Sequence, residues 1–136
     1  ASRHSQCYCV TASVNRVDFL NPIDVGELVT LKASINYTGK TSMVVGVRVE
    51  SENIQTGEIL HCNSSYFTMV AKDHNGNNVE IPGLVVTDKT GLRRFARSKE
   101  RKLSAFDRDS KYKSEKFKVN EYLDFLEGEN VSLDLD

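Results

Sequence analysis

Few residues of this chain could do chemistry, and they are scattered. There are three cysteines (Cys7, Cys9, Cys62) and three histidines (His4, His61, His74). Cys7 and Cys9 stand two apart, which on a strand puts both thiols on one face, a poor geometry for bridging each other. Any pairing leaves one Cys over, so the thiols are expected to be reduced, as in a cytosol-like compartment. No second Cys pair exists and the histidines follow no ligand spacing, so no metal site is expected. His61 falls on an alternating run with no partner at recognisable spacing and reads as a hydrogen-bonded or solvated histidine. Among the carboxylates, Asp18 sits in an apolar-aromatic setting. It is expected to accept backbone N–H bonds at the "LNP" turn rather than to catalyse, and Asp24 reads as a surface turn residue. The most distinctive polar groups are cationic. They lie in the turn Gly39-Lys40-Thr41-Ser42 and in the run "GLRRFARSKERK", which carries Arg93, Arg94 and Arg97.

The chain that must position these groups has 136 residues, enough for one domain with a real core and short for two. An apolar fraction of 39% and a charged fraction of 27% read as soluble and globular. No stretch approaches the roughly 18 apolar residues of a membrane span, and no secretory leader is visible. The net charge of -1 hides an asymmetry: residues 88–118 carry 12 Lys/Arg against 5 Asp/Glu, whereas 119–136 carry 6 acids and no base. A basic helix followed by an acidic tail is expected. Three N-x-[ST] sequons, at Asn36, Asn63 and Asn130, read as chance occurrences.

Four strands are legible. "CVTASVNRVDF" alternates Val10, Ala12 and Val14 against Thr11, Ser13 and Asn15, the two-residue period of a half-buried strand. "NPIDVGE" breaks it through Pro22 and Gly26. "LVTLKASINY" places Val29, Leu31, Ala33, Ile35 and Tyr37 on one face. "TSMVVGVRVESENI" puts Met43, Val45, Val47 and Val49 inward, with Arg48 and Glu50 outward. "EILHCNSSYFTMVAKD" follows, closed by the Asn-Gly chemistry of "HNGNN". Short turns between long strands predict an antiparallel meander. After the extended crossing segment "VEIPGLVV", Thr87 or Asp88 is placed to cap a helix with the stripe Leu92, Phe95, Lys99 (by its stem), Leu103 and Phe106. A shorter amphipathic segment is expected over "VNEYLDFLEG".

Four twisted strands with one apolar face must bury that face. The basic helix supplies only a thin stripe, so a covering layer is wanting: either another subunit or a further helix. Ala1–His4 read as the last turn of such a helix.

The ordered set "VTASVNRVDFLNPIDVGELVTLKASINYTGKTSMVVGVRVESENIQTG", "YFTMVA" and "IPGLV" resembles the hot-dog-fold acyl-CoA thioesterases, the brain-type cytosolic acyl-CoA hydrolases and their bacterial relatives in particular. The resemblance runs from Ala1 to about Phe106. Its markers are the Asp-Phe pair before a Pro-containing turn, the Gly-Lys-Thr-Ser turn, and the aromatic-Thr strand ahead of the Ile-Pro segment. It implies an α+β hot-dog domain over residues 1–109, with the central helix truncated and a basic C-terminal helix, followed by a charged extension over 110–136.

The implied activity is hydrolysis of acyl-CoA to fatty acid and CoA, with no cofactor beyond the CoA of the substrate. In such enzymes a carboxylate or Asn positions or activates water, and a backbone N–H stabilises the oxyanion. The matching residues are expected outside this sequence, so no catalytic residue is assigned. CoA contact is implied for Gly39, Lys40, Thr41 and Ser42, whose family counterpart lies beside the nucleotide end of CoA. Arg94 and Arg97, with Arg93, are candidates to neutralise its phosphates. A homo-oligomer built on hot-dog dimers, up to a hexamer, and a cytoplasmic location are also implied. The alternative is a non-catalytic CoA-binding or scaffolding domain. A nucleic-acid binder is disfavoured, because the basic run lacks interleaved aromatics and its own acidic tail balances it.

Overall fold

The structure is a computed structural model and describes residues 1–114. The segment expected over 119–128 and the acidic tail lie outside the described residues. The chain separates into two compact units, Ala1–Ala105 and Phe106–Asp136. Its elements are α1 (Ser2–Ser5), β1 (Tyr8–Phe19), β2 (Leu28–Thr38), β3 (Ser42–Glu52), β4 (Ile59–Lys72) and α2 (Lys89–Ser114).

Local chemistry sets the element ends. Asn53 Oδ1 accepts the N–H groups of Gln55 and Thr56 at 3.0 and 3.1 Å, and Gly57 takes φ 72°, so β3 turns back into β4. Asp73 Oδ1 takes the N–H groups of Asn75 and Asn77 where β4 stops. Asp88 Oδ1 accepts the Gly91 N–H at 2.6 Å, the side-chain cap expected at the start of α2.

The four strands form one antiparallel sheet in the order β1-β4-β3-β2. β2, β3 and β4 make the expected meander, but β1 does not pair with β2; it lies outside β4. The connection after β1 explains this. Leu20 N–H donates to Cys62 O at 2.9 Å and Asn21 Nδ2 to His61 O at 2.9 Å, so the chain leaving β1 stays bound to β4 before crossing to β2.

One face carries Met43, Val45, Val47 and Val49 of β3, opposite Ile35, Ala33 and Leu31 of β2 and Met69 and Phe67 of β4. It is closed at one end, where Ser5 of α1 meets Cys9 (Oγ to Sγ 3.2 Å) and Met43 and Ala71 are wholly buried. Elsewhere it is open: Phe19, Leu31 and Val14 are 82%, 66% and 52% exposed. The basic helix does not cover it. α2 lies on the opposite face, through Phe95 against Tyr37 at 5.1 Å between ring centroids and Arg101 over the Tyr66 ring at 3.9 Å.

Three sequence expectations change. Tyr37 does not share the face of Ile35: Asn36 is an extra residue, Ile35 pairs with Val45 and Tyr37 with Val44, and the bulge turns the Tyr37 ring towards α2. Irregularities between Thr11 and Ser13 and between Val14 and Arg16 likewise break the alternation of β1, so that Thr11 and Val14, not Val10 and Val14, face the apolar side. The covered stripe of α2 is Phe95, Ser98, Arg101 and Lys102, whereas Leu92, Leu103 and Phe106 are 59%, 57% and 70% exposed.

Candidate functional site

Two cationic features flank the face that carries α2. The first is the β2–β3 turn. Gly39 N–H donates to Ser42 O at 2.7 Å, closing the turn. The carbonyls of Thr41 and Lys40 accept the N–H groups of Ala71 and Ile81, each at 3.0 Å, which ties the turn to β4 and to the segment after it. The Lys40 ammonium meets Glu80 at 3.0 Å as an exposed pair, one that contributes little to stability and leaves both groups available. Lys102 of α2 reaches down to this turn: its Nζ donates to Ser42 Oγ at 3.1 Å and stands 5.2 Å from the Tyr37 ring centroid. A Cβ on residue 39 would come within 3.2 Å of that Nζ, so glycine there leaves room for the ammonium.

The second feature is a crevice of about 400 Å³ between α2 and the sheet. Arg93, Arg94, Arg97 and Arg101 line it from the helix, and Lys32 and Arg48 from the sheet. Lys32 Nζ and Arg48 Nε, the latter at 2.6 Å, both bond to Glu50, and these two cations hold its carboxyl below the usual carboxylate range. Arg48 and Glu50 thus stand on the face opposite the Val stripe, as their alternation predicts.

The structure therefore separates the expected CoA-contact residues into two groups. Gly39, Lys40, Thr41 and Ser42 form the turn; Arg94 and Arg97 line the crevice, and the turn residues do not. Lys102 and Arg101, which sequence reasoning did not single out, are the helix residues that meet the turn and the sheet. The available signal was spacing: Lys102 follows Phe95 by seven residues, two helical turns along one face. Lys32 and Arg48 are paired directly across β2 and β3, a register that no single strand shows.

The remaining candidates resolve plainly. Asp18 lies within β1, in register with Ser64, while the N–H groups of Leu20 and Asn21 go to Cys62 O. Asp24 is an exposed turn residue whose N–H donates to Glu27 Oε2 at 3.1 Å. His61 Nε2 is 3.0 Å from Asn63 O and 2.9 Å from Ser64 Oγ. These contacts make His61 a hydrogen-bonded histidine on β4. All three thiols are free; Cys62 is buried and donates to Ser51 Oγ at 3.1 Å.

An antiparallel sheet carrying one apolar face for a helix, with α1 at the end of that face, defines a hot-dog domain. The thioesterase superfamily pattern matches residues 1–58. The chain is 48% identical over 99 residues to Protein VdlD of Helicobacter pylori, a match covering 70% of this chain and 56% of the relative. A hexameric acyl-CoA thioesterase, solved without ligand, superimposes with TM-score 0.76 at 34% identity, over 79% of this chain and 69% of that one. An acyl-CoA hydrolase from Staphylococcus aureus, solved with butyryl coenzyme A and coenzyme A, superimposes with TM-score 0.74 at 28% identity, over 90% of this chain and 73% of that one. The chain belongs to the hot-dog acyl-CoA thioesterases of the thioesterase superfamily. It spans little more than half the length of VdlD.

Proposed function

We propose that this domain serves the hydrolysis of acyl-CoA thioesters to free fatty acid and CoA, in an enzyme of the brain-type cytosolic subfamily. One observation carries the reading: 90% of the chain superimposes, with TM-score 0.74, on a hydrolase captured with butyryl coenzyme A and coenzyme A. The subfamily assignment rests on the ordered markers "VDFLNP", "GKTS" and "IPGLV".

In this reading the turn Gly39–Ser42 meets the nucleotide end of CoA through backbone N–H groups, the Thr41 and Ser42 hydroxyls and the Lys40 ammonium. Lys102 adds a second cation beside Ser42. Arg94 and Arg97 contribute positive potential from the helix. The open apolar face supplies what an acyl chain and a covering helix both require, a surface that gains by leaving water. No residue is assigned as general base. The enzyme works as a cytoplasmic homo-oligomer without a cofactor.

Release of free CoA thiol from a series running from butyryl- to palmitoyl-CoA tests the proposal. Saturable turnover is expected. CoA binding with no thiol release along the whole series would make the domain a binding module instead.

A further inference from the structure

The crevice under α2 has a property that CoA contact at the turn does not require. Six cationic side chains (Lys32, Arg48, Arg93, Arg94, Arg97 and Arg101) converge on about 400 Å³, and Glu50 is the one carboxylate bonded to any of them among the described residues. Glu50 is already shared by Lys32 and Arg48, and Arg101 is held over the Tyr66 ring. Arg93, Arg94 and Arg97 make no ion pair among the described residues. Their spacings of three and four residues place like charges side by side on the helix, an arrangement that disfavours an isolated helix. Glu100, on the same helix, does not line the crevice and offers no compensation there. Lys99 is also outside it, and five of the six cations that line it are arginines, whose planar fork matches phosphate oxygens two at a time. Ser34, Asn36 and Ser64 give the floor further hydrogen-bonding groups. The size lies at the low end of small-ligand pockets, roughly 300–1,000 Å³.

We propose that this crevice is a polyphosphate site: it binds two or three linked phosphoryl groups between the α2 arginines and the Lys32–Arg48 pair, apart from the Gly39–Ser42 turn. A single carboxylate or monophosphate would leave most of the positive charge unmet, whereas a di- or triphosphate meets it with several bidentate contacts. The ligand is either the diphosphate of CoA itself, in which case the inference rests on the CoA reading above, or a free nucleoside polyphosphate, in which case it stands without it.

Isothermal titration of the full chain with inorganic tripolyphosphate, at constant ionic strength set with KCl, tests the site. One saturable site is expected, with a rise in melting temperature on binding. Arg93→Ala/Arg97→Ala is expected to weaken binding about tenfold or more, as loss of charge-assisted contacts does. The melting temperature of this double variant without ligand should be unchanged or raised, because a repulsion is relieved. Lys99→Ala, on the same helix outside the crevice, should leave the affinity unchanged. Arg97→Lys keeps the charge and should still weaken binding, which separates fork geometry from net charge.

Competition identifies the source: displacement of tripolyphosphate by CoA assigns the site to the substrate diphosphate, while ATP binding that CoA does not displace assigns it to free nucleotide. Absence of binding would overturn the site, as would equal losses in the Lys99 and Arg93/Arg97 variants. A single-stranded oligonucleotide displacing tripolyphosphate more strongly than either small ligand would overturn it in favour of nucleic acid. Because binding is read by heat and melting temperature, its failure is distinct from failure of the hydrolase reading, which is read by thiol release.

Discussion

At the scale of single residues, the site depends on small groups that let large ones approach. Gly46 lies on β3 beneath Asn36, the bulged residue of β2, and a Cβ there would collide with Asn36 Nδ2 and crowd its Cγ. Asn36 is buried and accepts a bond from Ser34 Oγ at 2.9 Å, so it cannot move freely. Gly46→Ala is therefore expected to cost about 1–3 kcal/mol in urea unfolding, as overpacking does; no measurable loss would show that Asn36 is not fixed over the strand. Glu50 gives a pH-dependent counterpart. Its carboxyl is held below its ordinary value of 4.5 by Lys32 and Arg48, so it binds protons less readily folded than unfolded. The stability it contributes is complete above 4.5 and is lost as pH falls through the depressed folded value. Glu50→Gln should accordingly lower the urea midpoint at neutral pH, and the gap to the natural protein should close as pH falls below about 4.5. A constant gap across that range would contradict the pairing.

At the scale of elements, helix α2 is attached to the sheet by few contacts, chiefly the tilted pair Phe95–Tyr37 and the two cation–ring contacts of Arg101 and Lys102. Phe95→Ala is expected to cost about 1–2 kcal/mol, since a half-buried ring and one aromatic pair are lost. Faster amide exchange over α2 than over β3 and β4 should accompany it. Uniform acceleration across the sheet would mean that the helix is integral to the core. The existence and order of these elements were legible because alternation along β2, β3 and β4 is strong and each turn carries its own Asn, Asp or Gly. Two things were not. A bulge such as that at Asn36 is fixed by pairing with β3, so the apparent alternation of Ile35 and Tyr37 misleads. The buried stripe of α2 was misread because Arg101 and Lys102 set their charged heads over the Tyr66 and Tyr37 rings while Leu92 and Leu103 stay exposed.

At the scale of the whole molecule, the first unit holds a small core (Met43, Val44, Val45, Cys62 and Ala71) beside an apolar face that stays open at Val14, Phe19 and Leu31. The wish for a covering layer was readable from the sequence: strands with one apolar side and a helix too charged to serve it. That α2 instead covers the polar side was not, because the choice depends on Tyr37 and Tyr66 standing on that side. An open face of this kind is consistent with a chain that works in an assembly, and the homo-oligomer proposed above is checked by light scattering after gel filtration. A mass several times 15.3 kDa is expected, and a monodisperse monomer at micromolar concentration would contradict it. The turn residues proposed to contact CoA were visible as a motif; their link to α2 through Lys102 was not, because it joins positions sixty residues apart.

The central proposal is that this domain serves the hydrolysis of acyl-CoA. The direct measurement is turnover of butyryl-CoA in water enriched in heavy oxygen, with thiol and butyrate counted together. The account predicts one free CoA thiol for each butyrate and heavy oxygen in the butyrate carboxyl, because water is the acceptor. Intact butyryl-CoA after prolonged incubation, or thiol released with the butyryl group carried to another acceptor, would contradict it.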